Sequence, residues 1–298
     1  MKYTKEPKDT EQHIELLIGR KLNIENLERA RKYLTNVGYY RLTGYMYHLQ
    51  NRDGEHEFKN DTTFNDIILH YNFDKKLRFI VAEYLERIEV ALRARLTDNF
   101  CANHGFYWFT NYDLYDDKEV YDIINREISE KFQNPQERFL KHFKSKYTSE
   151  SLPPTNMALE ILSLGKLSRL YKGLKNNEEK IKIAEDFNIP TIILSSWLVF
   201  LNNVRNICAH HGRLWNRGLT ADRFTIPNRK KNKFKGTITD DFNSTMYGTI
   251  SIIDKLLKEI NPSNRFASRI ENLLEEYPLI NTNYMGFPDD WKENAPWI

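Results

Sequence analysis

Between Ser195 and Asn216 the chain reads SSWLVFLNNVRNICAHHGRLWN, and the polar members of that run stand at a spacing that can do chemistry. Set on a helix at about a hundred degrees per residue, Asn202, Arg205, Asn206, Ala209 and His210 follow the i, i+3, i+4, i+7, i+8 pattern of one face. Phe200, Leu201, Val204, Ile207 and Cys208 gather opposite them as a core stripe. Histidine is the side chain that gains and loses a proton near neutral pH, so His210 can serve as base or acid. Arg205 can grip phosphate oxygens with a forked pair of hydrogen bonds. Asn206, one turn before His210, can orient the imidazole or bond the same phosphate. The strip can equally be a buried structural network, because unpaired donors inside a core are costly and would need partners there. His211 turns toward the apolar face of an ideal helix and reads as a packed or capping histidine. Gly212 offers the helix stop just beyond it. A metal site is not expected, since adjacent histidines do not readily chelate one ion from a helix and no His/Cys/carboxylate cluster stands nearby.

The elements that must position this strip are all helical. At 298 residues, with low Gly and Pro and abundant charges of both signs, the chain has an ordinary globular profile with ample core. A formal charge of +3 is too small to mark a nucleic-acid binder by itself, so any such footprint must be local. Two distant cysteines, Cys101 and Cys208, fit a reduced cytoplasmic setting, with Cys208 serving as a small hydrophobe. The polar, lysine-rich start carries no apolar signal segment. The longest apolar run, residues 189–201, is interrupted by Ser195 and Ser196 and too short to span a bilayer, so no membrane partner is expected.

Periodicity predicts helices over residues 11–21 and 24–37, then a tyrosine-rich segment over 38–50 that can be core or a stacking surface for bases. Residues 51–61 read as a polar loop. A long helix should run from an N-cap at Thr63 to about His104. Its face of Leu77, Ile80, Val81, Tyr84, Leu85, Ile88, Leu92 and Leu96 is apolar throughout. Glu86, Glu89 and Arg93 share a stripe that reads as a solvated, salt-bridged face. Arg95 projects from the apolar side and must meet a carboxylate, a helix end or another subunit. An aromatic connector over 104–115 precedes helices over 118–132 and 135–147. One helix is predicted over 156–174, in which Gly165 signals a close crossing or a bend. A short helix over 178–187 follows, and Ile189-Pro190 then opens the helix of the strip. Past Asn216 the chain loosens into a basic loop, RKKNKFK over 229–235, before helices near 240–260 and 263–276. The division read from this is an N-terminal helical subdomain over 1–60 packed on the core, a helical core over 61–217, and a basic loop with C-terminal helices over 218–298.

With the strip and its helices in view, the chain resembles a known family. RNICAH fits the R-x4-6-H signature of HEPN domains, and four blocks in order resemble the Abi-like proteins, named for abortive infection of phage-infected bacteria. Those blocks are GYYRLTGY, FDKKLRFIVAEYLERIEVALRARL, ALEILSLGKLSRLYKGLK and SWLVFLNNVRNICAHHGRLWNR. They span about Leu16 to Arg217, and four ordered blocks are far more specific than the short signature alone. The resemblance implies an HEPN-type helical bundle, often dimeric, within the all-α chain whose additional N- and C-terminal helices are read from the sequence pattern. In many members it implies a metal-independent endoribonuclease without cofactor, which uses the RNA 2′-hydroxyl as nucleophile and leaves 2′,3′-cyclic phosphate and 5′-hydroxyl ends. Other members bind RNA without cutting it.

Such a reaction needs a base, an acid and positive charge on the phosphorane oxygens. Arg205, Asn206 and His210 are the catalytic candidates, with Asn202 and His211 in support. One chain supplies one well-placed histidine, so a two-fold homodimer that sets two strips face to face would supply both proton-transfer groups. Arg213, Trp215, Asn216 and Arg217, just past the helix, are candidates for holding RNA or the partner chain, and Arg229, Lys230, Lys231, Lys233 and Lys235 of the basic loop for contacting phosphates. A toxin of this type also implies a restraining antitoxin, a small RNA or a protein. Two other readings stay open: a non-catalytic RNA-binding module, and a structural or signalling dimer whose strip locks the interface.

Overall fold

Helices account for the architecture, as the periodicity predicts. The computed structural model describes residue 2 and residues 6–52, 54–221, 223–228 and 232–297. Among these, β-structure is confined to three isolated bridges, so the fold is all-α. The chain divides into two compact units, Met1–Arg78 with Asn272–Ile280, and Phe79–Glu271 with Asn281–Ile298.

The first unit holds α1 (Thr10–Gly19), α2 (Leu27–Asn36), the short α3 (Tyr39–Thr43) and the first part of α4 (Phe64–His104). Asp9 and Gln12 cap α1 reciprocally, and Asn26 caps α2 through the Arg29 amide. Thr63 and Asp66 do the same for α4: the Thr63 amide donates to Asp66 Oδ2 at 2.8 Å and the Asp66 amide to Thr63 Oγ1 at 3.3 Å. No glycine or proline then interrupts α4 over its 41 residues. The tyrosine-rich segment is part core and part exposed. Tyr45 is buried and donates to the fully buried Asp74 at 2.5 Å, and Arg78 pairs with the same carboxylate. Tyr40 and Tyr47 point into solvent.

The second unit contains the rest of α4, then α5 (Lys118–Gln133), α6 (Arg138–Lys146), α7 (Thr155–Ala158), α8 (Leu164–Gly173), α9 (Glu178–Asp186), α10 (Thr191–Ala209) and α11 (Met246–Ile260). It also takes the start of α12 (Phe266–Glu276) and the short α13 (Trp291–Asn294). α10 packs on α8 and α9, and α8 packs on α5. By length and composition α10 could cross a membrane, with a mean hydropathy of 1.3. At 19 residues it is longer than the apolar run read from sequence. Here it is a core helix: Leu194, Trp197, Leu198, Leu201 and Val204 are fully enclosed, each contributing about 1.5–3 kcal/mol through burial.

Three expectations need correction. The helix predicted over 156–174 is broken into α7 and α8, because the carbonyls of residues 159–162 are claimed by cations from neighbouring helices. Arg93 donates to the Leu159 and Leu162 carbonyls at 3.0 and 3.3 Å, and Lys131 to that of Ile161 at 2.6 Å. For the same reason Arg93 is not on a solvated face: its side chain is 13% exposed and that of its partner Glu89 16%. Gly165 marks the close crossing rather than the break, since a Cβ there would stand 2.9 Å from Asn202 Oδ1 on α10. Nor is the chain loose after Asn216. Leu214, Trp215 and Phe224 are fully buried, and Phe234 stacks on Trp197 with ring centres 5.7 Å apart. Large aromatics spaced about ten residues apart fasten this non-helical stretch to α10.

Arg95 meets the ends of two helices. Its guanidinium lies 3.8 Å from the Phe187 ring centre and donates to the carbonyls of Asp186 and Glu259, in the last turns of α9 and α11. Helix C-termini carry partial negative charge, which offsets the cost of enclosing the cation.

Candidate functional site

The strip lies where α10 ends, and the manner of its ending shapes the site. The last helical residue is Ala209, and His210 is the C-cap. His211 then takes a left-handed conformation with φ of +56°. The His211 amide donates to the Cys208 carbonyl at 3.1 Å, and the Gly212 amide to the Ile207 carbonyl at 2.7 Å. This pair of bonds is a Schellman closure. The left-handed stop therefore falls on His211, one residue before the glycine read as the stop. Gly212 serves close approach instead: a Cβ there would stand 3.1 Å from Ile207 Cγ2 and 3.2 Å from Ile207 O.

Beyond this closure the chain turns again at Asn216, with φ of +49°, and residues 212–221 run back beside the end of α10. Between them lies an open groove of about 630 Å³. Phe200, Val204, Ile207 and Leu219 supply its apolar surface, Asn203, Asn206 and Thr220 its neutral polar groups, and His210 and Arg217 its ionisable ones. None of the described lining residues is acidic. The floor is wedged from behind, since the Phe200 ring packs edge-on against Phe224 at 5.0 Å and the Leu219 amide bonds the Ser244 carbonyl at 2.9 Å.

The groove thus brings Asn206, His210 and Arg217 together. Arg205 is half-buried on the flank of α10, outside the lining. His210 is exposed. Neither Arg205 nor His210 forms an ion pair with a described carboxylate. Asn202 faces away from the groove, toward Gly165 of α8. His211 is exposed at the left-handed position, Arg213 half-buried, and Asn216 half-buried at the turn. Lys233 and Lys235 are exposed and flank Phe234, which stacks on Trp197. Neither lysine is among the described residues that line the groove. Arg229, Lys230 and Lys231 lie outside the described residues. Asn203 and Thr220 were missed from sequence. Counting i, i+3, i+7 from Asn203 through Asn206 to His210 would have found the first, whereas nothing local marks Thr220. Among the described residues no group of three or more His, Cys, Asp or Glu side chains could hold a metal ion.

Fold and site together define an all-helical protein in which α10 ends in an imidazole and a guanidinium without ion pairs among the described residues, beside a groove whose described lining carries no acid. The family model for Abi-like proteins matches residues 32–216, and the chain belongs to that family. No curated protein and no solved structure matches it. The matched span holds Arg205, Asn206 and His210 and stops short of Arg217 and the far wall of the groove.

Proposed function

We propose that this protein is a metal-independent endoribonuclease of the HEPN type, acting in the cytoplasm as an abortive-infection toxin. The observation that carries the reading is the end of α10. There an exposed imidazole and a half-buried guanidinium, neither paired with a described carboxylate, stand one turn or less from Asn206 beside a groove whose described lining carries no acid. One histidine removes the proton from the 2′-hydroxyl as its oxygen attacks the adjacent phosphorus. A second gives a proton to the departing 5′-oxygen, and Arg205 and Arg217 take the charge that builds on the non-bridging oxygens. The products carry a 2′,3′-cyclic phosphate and a 5′-hydroxyl. Each chain offers one such imidazole, so the second comes from His210 of a two-fold related copy. A toxin of this kind is held in check by an antitoxin, a small RNA or a protein.

The test is purified protein incubated with RNA in EDTA. Cyclic-phosphate ends should form, and His210→Ala should slow their formation by about 10²–10⁴-fold, with Arg205→Ala similarly impaired. RNA bound with strong salt dependence but never shortened would make the protein a binding module instead. Substitutions that break a dimer without altering RNA binding or cleavage would make the strip an interface lock.

A further inference from the structure

We infer that the groove between the end of α10 and residues 212–221 holds one nucleotide of the RNA strand, and that its far wall, 217–221, selects which nucleotide is cut. The inference rests on the ribonuclease reading above and adds to it a ligand and a source of specificity. Volume comes first. About 630 Å³ lies within the span of roughly 300–1,000 Å³ typical of small-ligand sites, large enough for a base and its sugar, too small for a duplex. The lining chemistry is that of a nucleobase. Phe200, Val204, Ile207 and Leu219 give an apolar surface for a flat ring. Asn203 and Thr220 place donors and acceptors within the same walls, which is what the edge of an unstacked base requires.

Charge completes the match. The ionisable lining is His210 and Arg217, with no described acid to repel a phosphate. Because His210 belongs both to the groove and to the proposed reaction, a nucleotide seated there brings its own 2′-hydroxyl and phosphate to the imidazole. The two walls also differ in origin. The α10 wall lies within the family-matched span, whereas Arg217, Leu219 and Thr220 lie just past it. Proton transfer is thereby assigned to the shared wall and the choice of nucleotide to the other, where Arg217 also meets the phosphate.

The full-length protein is titrated with the four nucleoside 3′-monophosphates and with inorganic phosphate, followed by calorimetry and by the histidine ring signals in NMR. At least one nucleotide should bind tenfold or more tightly than phosphate and shift the His210 signals, assigned by comparison with His210→Ala. Gly218 has an ordinary backbone conformation, and a Cβ there meets nothing nearer than Thr220 Cγ2 at 3.6 Å. Gly218→Phe should therefore keep its melting temperature while weakening nucleotide binding at least tenfold. Thr220→Val should narrow the spread among the four bases. Nucleotides that bind no better than phosphate, or a folded Gly218→Phe protein with unchanged affinity, would overturn the inference even if RNA is cleaved. Nucleotide binding without any cleavage in EDTA would leave the groove assignment standing and remove the nuclease.

Discussion

Arg93 offers the sharpest test of how the second unit is held together. Its guanidinium bonds the carbonyls of Leu159 and Leu162 at 3.0 and 3.3 Å and Glu89 at 2.9 Å, and lies 3.5 Å from Glu160. Leu159 is wholly buried and Leu162 nearly so. Arg93→Ala leaves the Leu162 carbonyl and a mostly buried carboxylate without their donor, and the Leu159 carbonyl with the Leu162 amide alone. Each orphaned group costs about 1–3 kcal/mol, but the carboxylate sits near enough to the surface for water to enter. The figure to expect is that for a broken buried ion pair, about 3–5 kcal/mol. A domain of this kind has roughly 5–15 kcal/mol in total, so the loss should be plain in urea denaturation as a fall in midpoint with little change in slope. Arg93→Lys keeps a charge for Glu89 but lacks the fork needed to span two carbonyls, and should fall between. Arg87, paired with Glu83 at 3.2 Å with both side chains over 40% exposed, is the control. Its removal should cost no more than about 0.5 kcal/mol. If Arg93→Ala comes within about 1 kcal/mol of Arg87→Ala, cations do not hold the α7–α8 break and the account of that break is wrong.

Gly165→Ala should destabilise by about 1 kcal/mol as the Asn202 carboxamide is pushed aside. In an Asn202→Ala background the same change should be neutral or better, since alanine favours helix more than glycine does; equal costs in both backgrounds would sink this reading of the crossing. At position 211, with φ of +56°, glycine should give a protein more stable than alanine by about 1 kcal/mol in thermal melts. If RNA cleavage survives His211→Gly, that side chain's part is structural; if it is lost, His211 joins the chemistry. His70 is buried, and burial holds its pKa below the ordinary histidine value, with only partial compensation from its bond to the Asp66 carbonyl at 2.7 Å. Below about pH 6.5 the unfolded chain takes up a proton there that the folded chain refuses, so stability should fall as pH drops through that point and show no such term above it. Chemical denaturation between pH 5.5 and 7.5 checks this, and a slope unchanged in His70→Gln would assign it to other groups.

By itself the sequence determined what repeats over a few turns of chain. The all-helical class, the N-cap at Thr63, the buried face of α4 and the core stripe of α10 all follow from local spacing. Arg95 was legible too, because a cation on an apolar face has few acceptable partners. Tertiary packing decided whatever depends on residues far apart in the chain. Leu159–Ser163 carries no helix breaker, and the break is visible only once Arg93 and Lys131 arrive to claim its carbonyls. Asn202 looked like a member of the polar strip until α8 came up against it at Gly165. Asn206 and His210 share a groove with Arg217 and Thr220 only because aromatics at 224 and 234 draw a non-helical segment back against α10. Helical periodicity says which residues share a face; it carries no information about which distant carbonyl, helix or loop that face will meet.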